Sequence, residues 1–130
     1  MTTALDIIKG ALRDISVLAA GESPTAEESQ DSLEALNLMI AAWELDGIAI
    51  GAQEWALSDV IQLPANHILA IRRNLAVRLA PEFGAAVSNI TVQEAGDGYR
   101  SLQTAYGEPL DMDVDNAIRA RRRYPSGRPY

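Results

Sequence analysis

Residues 25–47 carry a complete, punctuated helix, and it constrains the chain more than any other stretch. Thr25, with Glu28 three positions on, forms a capping box in which hydroxyl and carboxylate each accept from an orphan backbone N–H. Leu33, Leu36, Met39, Ile40 and Trp43 then recur at spacings of three and four, one face of a 3.6-residue period, until Asp46-Gly47 stops it. An apolar stripe this long must be buried against others like it. Trp43 therefore reads as core, and the opposite face, Glu27, Glu34, Asn37 and Glu44, reads as solvated surface.

Three further stripes answer it. Residues 3–20 place Leu5, Ile8, Leu12, Ile15 and Ala19 on one face before Gly21. Residues 66–80 form a third helix on Ile68, Ile71, Leu75 and Leu79, with Arg72, Arg73 and Arg78 facing elsewhere and Pro81 ending or kinking it. Residues 85–106 form a fourth on Val87, Ile90, Ala95, Tyr99, Leu102 and Tyr106, although Gly96 and Gly98 each cost it about 1 kcal/mol relative to alanine. Between 48 and 63 the period changes, and short extended pieces around Ser58-Asp59 predict a small hairpin or hooked loop. With 130 residues and 48% hydrophobic content the chain suits one compact domain. The expected fold is all-α: an antiparallel bundle of four helices, or five with a short one at 116–123. The bundle covers 1–109 with its insertion near 48–63, and 110–130 form an extended tail.

Charge divides the chain where the tail begins. All eighteen acidic residues precede residue 117, together with six of the eleven basic ones, while 117–130 hold five arginines and no acid. An acidic body is ill suited to wrapping nucleic acid, because each phosphate contact relies on a positive side chain. The arginine tail suits a partner's carboxylates or phosphates. Two prolines and a glycine among the last seven residues give that tail no core of its own.

Chemical motifs are scarce. Without cysteine there are no disulfides, thiolate sites or cysteine nucleophiles, which suits a reducing compartment. His67, the single histidine, reads as a partly exposed helix residue rather than a base. Asp111, Asp113 and Asp115 imitate a calcium loop, but Asn116 and Arg122 stand where glycine and glutamate are needed. Gly96 and Gly98 lie within a helical pattern and cradle no phosphate. No metal, cofactor or catalytic residue is assigned, and no apolar run or basic leader predicts membrane insertion or processing. Trp55, in the loop beside Gln53 and Glu54, and Ile50 are the candidates for a contact with a neighbouring subunit or tail component.

The run at 31–51, DSLEALNLMIAAWELDGIAIG, followed by NLAVRLAPEFG at 74–84, resembles the head-to-tail adaptor family of tailed bacteriophages, especially the head-completion proteins of short-tailed enterobacterial phages. Arg123-Tyr124-Pro125-Ser126 resembles that family's tail. The resemblance implies a structural virion protein and not an enzyme, sited in the neck between head and tail after assembly in the host cytoplasm. It implies a twelve-fold ring beneath the portal that completes the head after DNA packaging and receives the downstream tail component. Portal docking then falls to Arg119, Arg121, Arg122, Arg123, Tyr124, Pro125, Arg128 and Tyr130. Viral double-stranded DNA passes through the ring unbound, and an acidic wall would help it slide; a lumen lined by Arg72, Arg73 and Arg78 would contradict that. Two other expectations come from different classes. A peptidoglycan-hydrolysing, muramidase-like activity, also attached to that family, would need two carboxylates across a sugar-sized cleft. A DNA-binding module acting through the arginine tail would bind in a salt-sensitive, sequence-blind way.

Overall fold

Helices α1 (Ala4–Asp14), α2 (Ala26–Leu45), α3 (Ala65–Glu82) and α4 (Asn89–Tyr106) make up a computed structural model that describes residues 1–50 and 54–107. Helix α3 is the hub, packing on each of the other three. Its Ile71, Leu75 and Leu79 meet Ile7, Ile8 and Leu12 of α1, Leu36, Met39 and Trp43 of α2 and Leu102 of α4 in a single core. All five residues of the α2 stripe are buried as their spacing predicts. The fold among the described residues is a four-helix bundle; the expected fifth helix and the tail lie outside them.

Three of the four helices end on one motif. After the C-cap, Ser16, Gly47 and Gly84 take φ of 62°, 90° and 64°. In each case that residue bonds back to the third residue before it, and the next residue bonds back five: Val17 N–H donates to Leu12 O at 2.9 Å, Ile48 to Trp43 O at 2.9 Å, Ala85 to Ala80 O at 2.8 Å. This shortens α1, which stops at Asp14 rather than at 20. Of the expected stripe beyond that point, Ile15 is buried, but from a turn and not a helix, and Ala19 is exposed, with Leu18 buried in its place. Helix α3 passes through Pro81 and ends one residue later at Glu82, with Phe83 as its C-cap and Gly84 in the left-handed region just beyond.

Of the two forms expected for 48–63, a hairpin or a hooked loop, the described residues form a loop and no hairpin. Residues 57–61 instead run along the start of α1, where Ala4 N–H donates to Asp59 O (3.0 Å), Leu5 N–H to Leu57 O (3.1 Å) and Ile61 N–H to Thr2 O (2.8 Å). The first N–H groups of a helix have no intrahelical partner. The capping box satisfies the N–H groups of Thr3 and Asp6 at this terminus, and the loop carbonyls satisfy those of Ala4 and Leu5 between them. Ala56 and Asp59 close the turn, with Ala56 N–H donating to the Asp59 carboxylate at 2.7 Å.

Helix α4 begins at Asn89, four residues later than expected, because Ser88 caps it by accepting from Thr91 N–H. Its inward face is Thr91, Ala95 and Leu102, so Ile90 points outward, 70% exposed, where burial was expected. Gly98 explains one of the two costly glycines: a Cβ there would lie 2.7 Å from Ala70 Cβ, so its absence lets α3 and α4 approach closely. The pairings His67–Tyr106 and Asn74–Ala95 set these two helices antiparallel.

Candidate functional site

The side of the bundle where α2 meets the loop around Trp55 carries an open concave surface. Asn37 organises it. Its amide Nδ2 donates to Trp55 O at 3.0 Å while its Oδ1 accepts from Trp55 N–H at 2.9 Å, a two-point clamp on the loop backbone. Asn37 was expected among solvated residues and is instead the fastener of this loop. Helical periodicity carries no signal for such a contact, which spans 18 residues of sequence. The available hint was an asparagine, a poor helix former, set amid leucines.

The clamp presses Trp55 onto the hydrophobic core, where Ile50 also packs, and both are half-buried. Their rings and methyls therefore serve the bundle first, and what each leaves to a neighbour is an edge. Beside Trp55 lies an open groove of about 530 Å³ whose lining includes Gln30, Leu33, Glu34 and Glu54. Glu34 also borders a second groove of about 360 Å³, between α2 and the end of α3, lined by Asp31, Ala35, Leu38, Glu82 and Phe83. Among the described residues, neither lining contains a basic side chain. The four carboxylates are exposed, whereas a glycosidase acid depends on an apolar setting.

The arginines of α3 do not all face away from the bundle. Arg72 grips Asp14 of α1 with two bonds, Nε at 3.0 Å and Nη2 at 2.7 Å, and Arg73 Nη1 reaches the same carboxylate at 2.7 Å. Asp14 is only 7% exposed, so the pair of arginines neutralises a nearly buried charge and joins α1 to α3. Arg72 reaches it by crossing Gly10, where a Cβ would meet its guanidinium at 2.6 Å. Arg78 alone of the three is exposed. His67 accepts or donates at Nδ1 with the Tyr106 hydroxyl, 2.7 Å away, and its ring meets the Tyr106 ring edge-on. Tyr99 donates its hydroxyl to Asp46 at 2.8 Å and stacks edge-on against Trp43. Burial first, and then Asp46, push the Tyr99 phenol above its ordinary range.

The residues assigned to portal docking, Arg119, Arg121, Arg122, Arg123, Tyr124, Pro125, Arg128 and Tyr130, and the aspartates of the imitation calcium loop lie outside the described residues. Among the described residues there is no cluster of three His, Cys, Asp or Glu side chains placed to hold a metal, and no helix is long and apolar enough to cross a membrane. Neither a family model nor a curated protein matches the chain.

Proposed function

We propose that this chain is a head-to-tail adaptor of a tailed bacteriophage, docking on the portal through residues 117–130 and offering its bundle to the next ring subunit and to the tail. The observation that carries the reading is the resemblance over 31–51 and 74–84. Its polar members support it. Leucines at helical spacing belong to any bundle, but Asn37, Asp46 and Asn74 each join separate elements: Asn37 to the Trp55 loop, Asp46 to Tyr99, and Asn74 to Ala95 O at 2.9 Å. The resembling residues thus include the fasteners of the fold as well as its apolar stripes. A rigid bundle with a cationic, proline-bearing end suits a part that orders on its partner and spends its entropy there. Without disulfides to lock a ring, the chain is a monomer or weak oligomer when dilute and gathers into a ring, twelve-fold in this reading, on the portal template.

The test is binding to portal rings. Chains ending at Asn116 should leave the helical circular dichroism and melting temperature of the full chain nearly intact and lose portal binding. Charge reversal at Arg121, Arg122 and Arg123 should weaken binding and flatten its dependence on salt. Undiminished saturation of the portal by the shortened chain would overturn the docking assignment, and absence of binding by the full chain would overturn the adaptor reading itself.

A further inference from the structure

The outer side of α2 is apolar without being used by the bundle. Leu38 and Leu45 stand 62% and 90% exposed on one helix face, with Ala41 also exposed between them. At Leu38 this stripe enters the 360 Å³ groove, whose floor is Ala35, Leu38 and Phe83 and whose rim is Asp31, Glu34 and Glu82. An apolar floor with an anionic rim selects its occupant: long cationic side chains that lay their stems on hydrocarbon and their guanidinium groups on carboxylates. A second copy of the same face would be repelled by its own charges. Residues 117–130 fit instead, having five arginines, no acid, and Ile118 and Tyr124 as apolar members.

We infer that the groove between α2 and the end of α3 holds the arginine-rich segment 117–130 of the same chain. The reach suffices. Helix α4 ends beside the start of α3, as the Tyr106–His67 contact fixes, while Phe83 lies at the far end of α3. Sixteen residues of helix separate His67 from Phe83, about 24 Å, with a lateral step of about one helix diameter, 10 Å. From Gly107 to Arg119 an extended chain spans about 40 Å, so the first arginine arrives at the groove and the others fall along it. This docking is independent of the adaptor reading. Where both hold, portal carboxylates must compete with the groove for the segment, which keeps the tail occupied until the portal is met.

The full chain, naturally free of cysteine, accepts a single nitroxide at Ser126→Cys. At low salt the amide NMR signals of Ala35, Leu38 and Phe83 should lose intensity relative to the reduced label. The loss should vanish at 1 M salt, where charges are screened within about 3 Å, and in the double variant Glu34→Lys, Glu82→Lys. Should that variant not fold, Glu34→Gln with Glu82→Gln serves, with a weaker loss expected. Signals unaffected at low salt, or a loss that persists after charge reversal and in salt, would overturn the inference. So would an equal loss in mixtures of nitroxide-bearing, isotope-free chains with isotope-labelled, nitroxide-free chains, which would place the segment on another copy. Portal is absent from the sample, so the outcome does not depend on the adaptor reading.

Discussion

The two faces of α2 are made of similar residues and do opposite things. Facing the core, Leu36 and Met39 are wholly buried and Trp43 is 2% exposed, edge-on to Tyr99 of α4. Facing out, Leu38 and Leu45 sit on the same helix, two residues from their buried counterparts, and contribute almost nothing to that packing. A leucine's role here is set by its angle on the helix and not by its chemistry. The inner face is what makes the chain fold; the outer face is surplus to folding, and its apolarity is best used in a contact the isolated bundle does not make.

The largest effects should come from the inner face and its partners on α3. Leu36→Ala and Leu75→Ala each empty a site with no solvent exposure and should lower stability by about 2–5 kcal/mol in denaturant unfolding. Unchanged unfolding in either would erase the distinction between the faces. Next comes Asp14→Ala, which strands Arg72 in the α1–α3 seam and leaves Arg73 only its longer contact with Glu94, at 3.4 Å. A fully buried pair broken in this way costs about 3–5 kcal/mol; with Arg72 35% exposed to water, about 2–3 kcal/mol is expected here. Asp14→Asn, keeping the shape but not the charge, should recover only part of it.

Periodicity reads what is buried by angle, and so the whole α2 stripe, most of the α3 stripe, the Thr25 capping box and the Asp46-Gly47 stop were legible in the sequence, while the stripes of α1 and α4 held only in part, Ala19 and Ile90 being exposed. It does not read what is held by a specific polar contact. The end of α1 was missed because its left-handed residue is Ser16, where glycine is the ordinary sign. The pairing of 57–61 with the start of α1 was missed because orphan N–H groups announce themselves only once the helix boundary is known. Asn37, Arg72 and Arg73 were placed on the surface for the same reason: a polar side chain on a polar stripe looks solvated until its partner is located. The grooves beside α2 depend on how three elements meet, which no single stripe encodes.

Asn37→Ala probes a polar residue between the two faces. It leaves the half-buried N–H and C=O of Trp55 without partners and should cost about 1–3 kcal/mol, with a red shift of tryptophan emission as the loop loosens. Asn37→Asp retains the acceptor and loses the donor, so it should fall between. At the end of the same helix, Tyr99 ties α4 to Asp46. Its raised phenol pKa means that the folded state favours the neutral form, so its stabilising share is complete below about pH 10, the unfolded value, and is lost as pH rises through the folded value. Tyr99→Phe should remove that alkaline dependence while lowering stability at neutral pH. An identical alkaline profile in the variant would assign the dependence elsewhere.

The smallest expected effect sharpens the comparison most. Leu38→Gln and Leu45→Gln replace exposed apolar groups with polar ones of similar length in a helix that tolerates glutamine nearly as well as leucine. Each should therefore change unfolding by no more than about 0.5 kcal/mol, the usual range for surface positions. The same substitution at Leu36, two residues away, would put an amide into the core without a partner and cost several times more. If Leu45→Gln proved as damaging as a core substitution, the outer face would be sealed by contacts within the folded chain, and its stripe would belong to the core. If it is silent in stability yet alters association of the full chain, by raising solubility or releasing a bound partner, then the leucines of the outer face are kept for a contact that forms only after the bundle has folded.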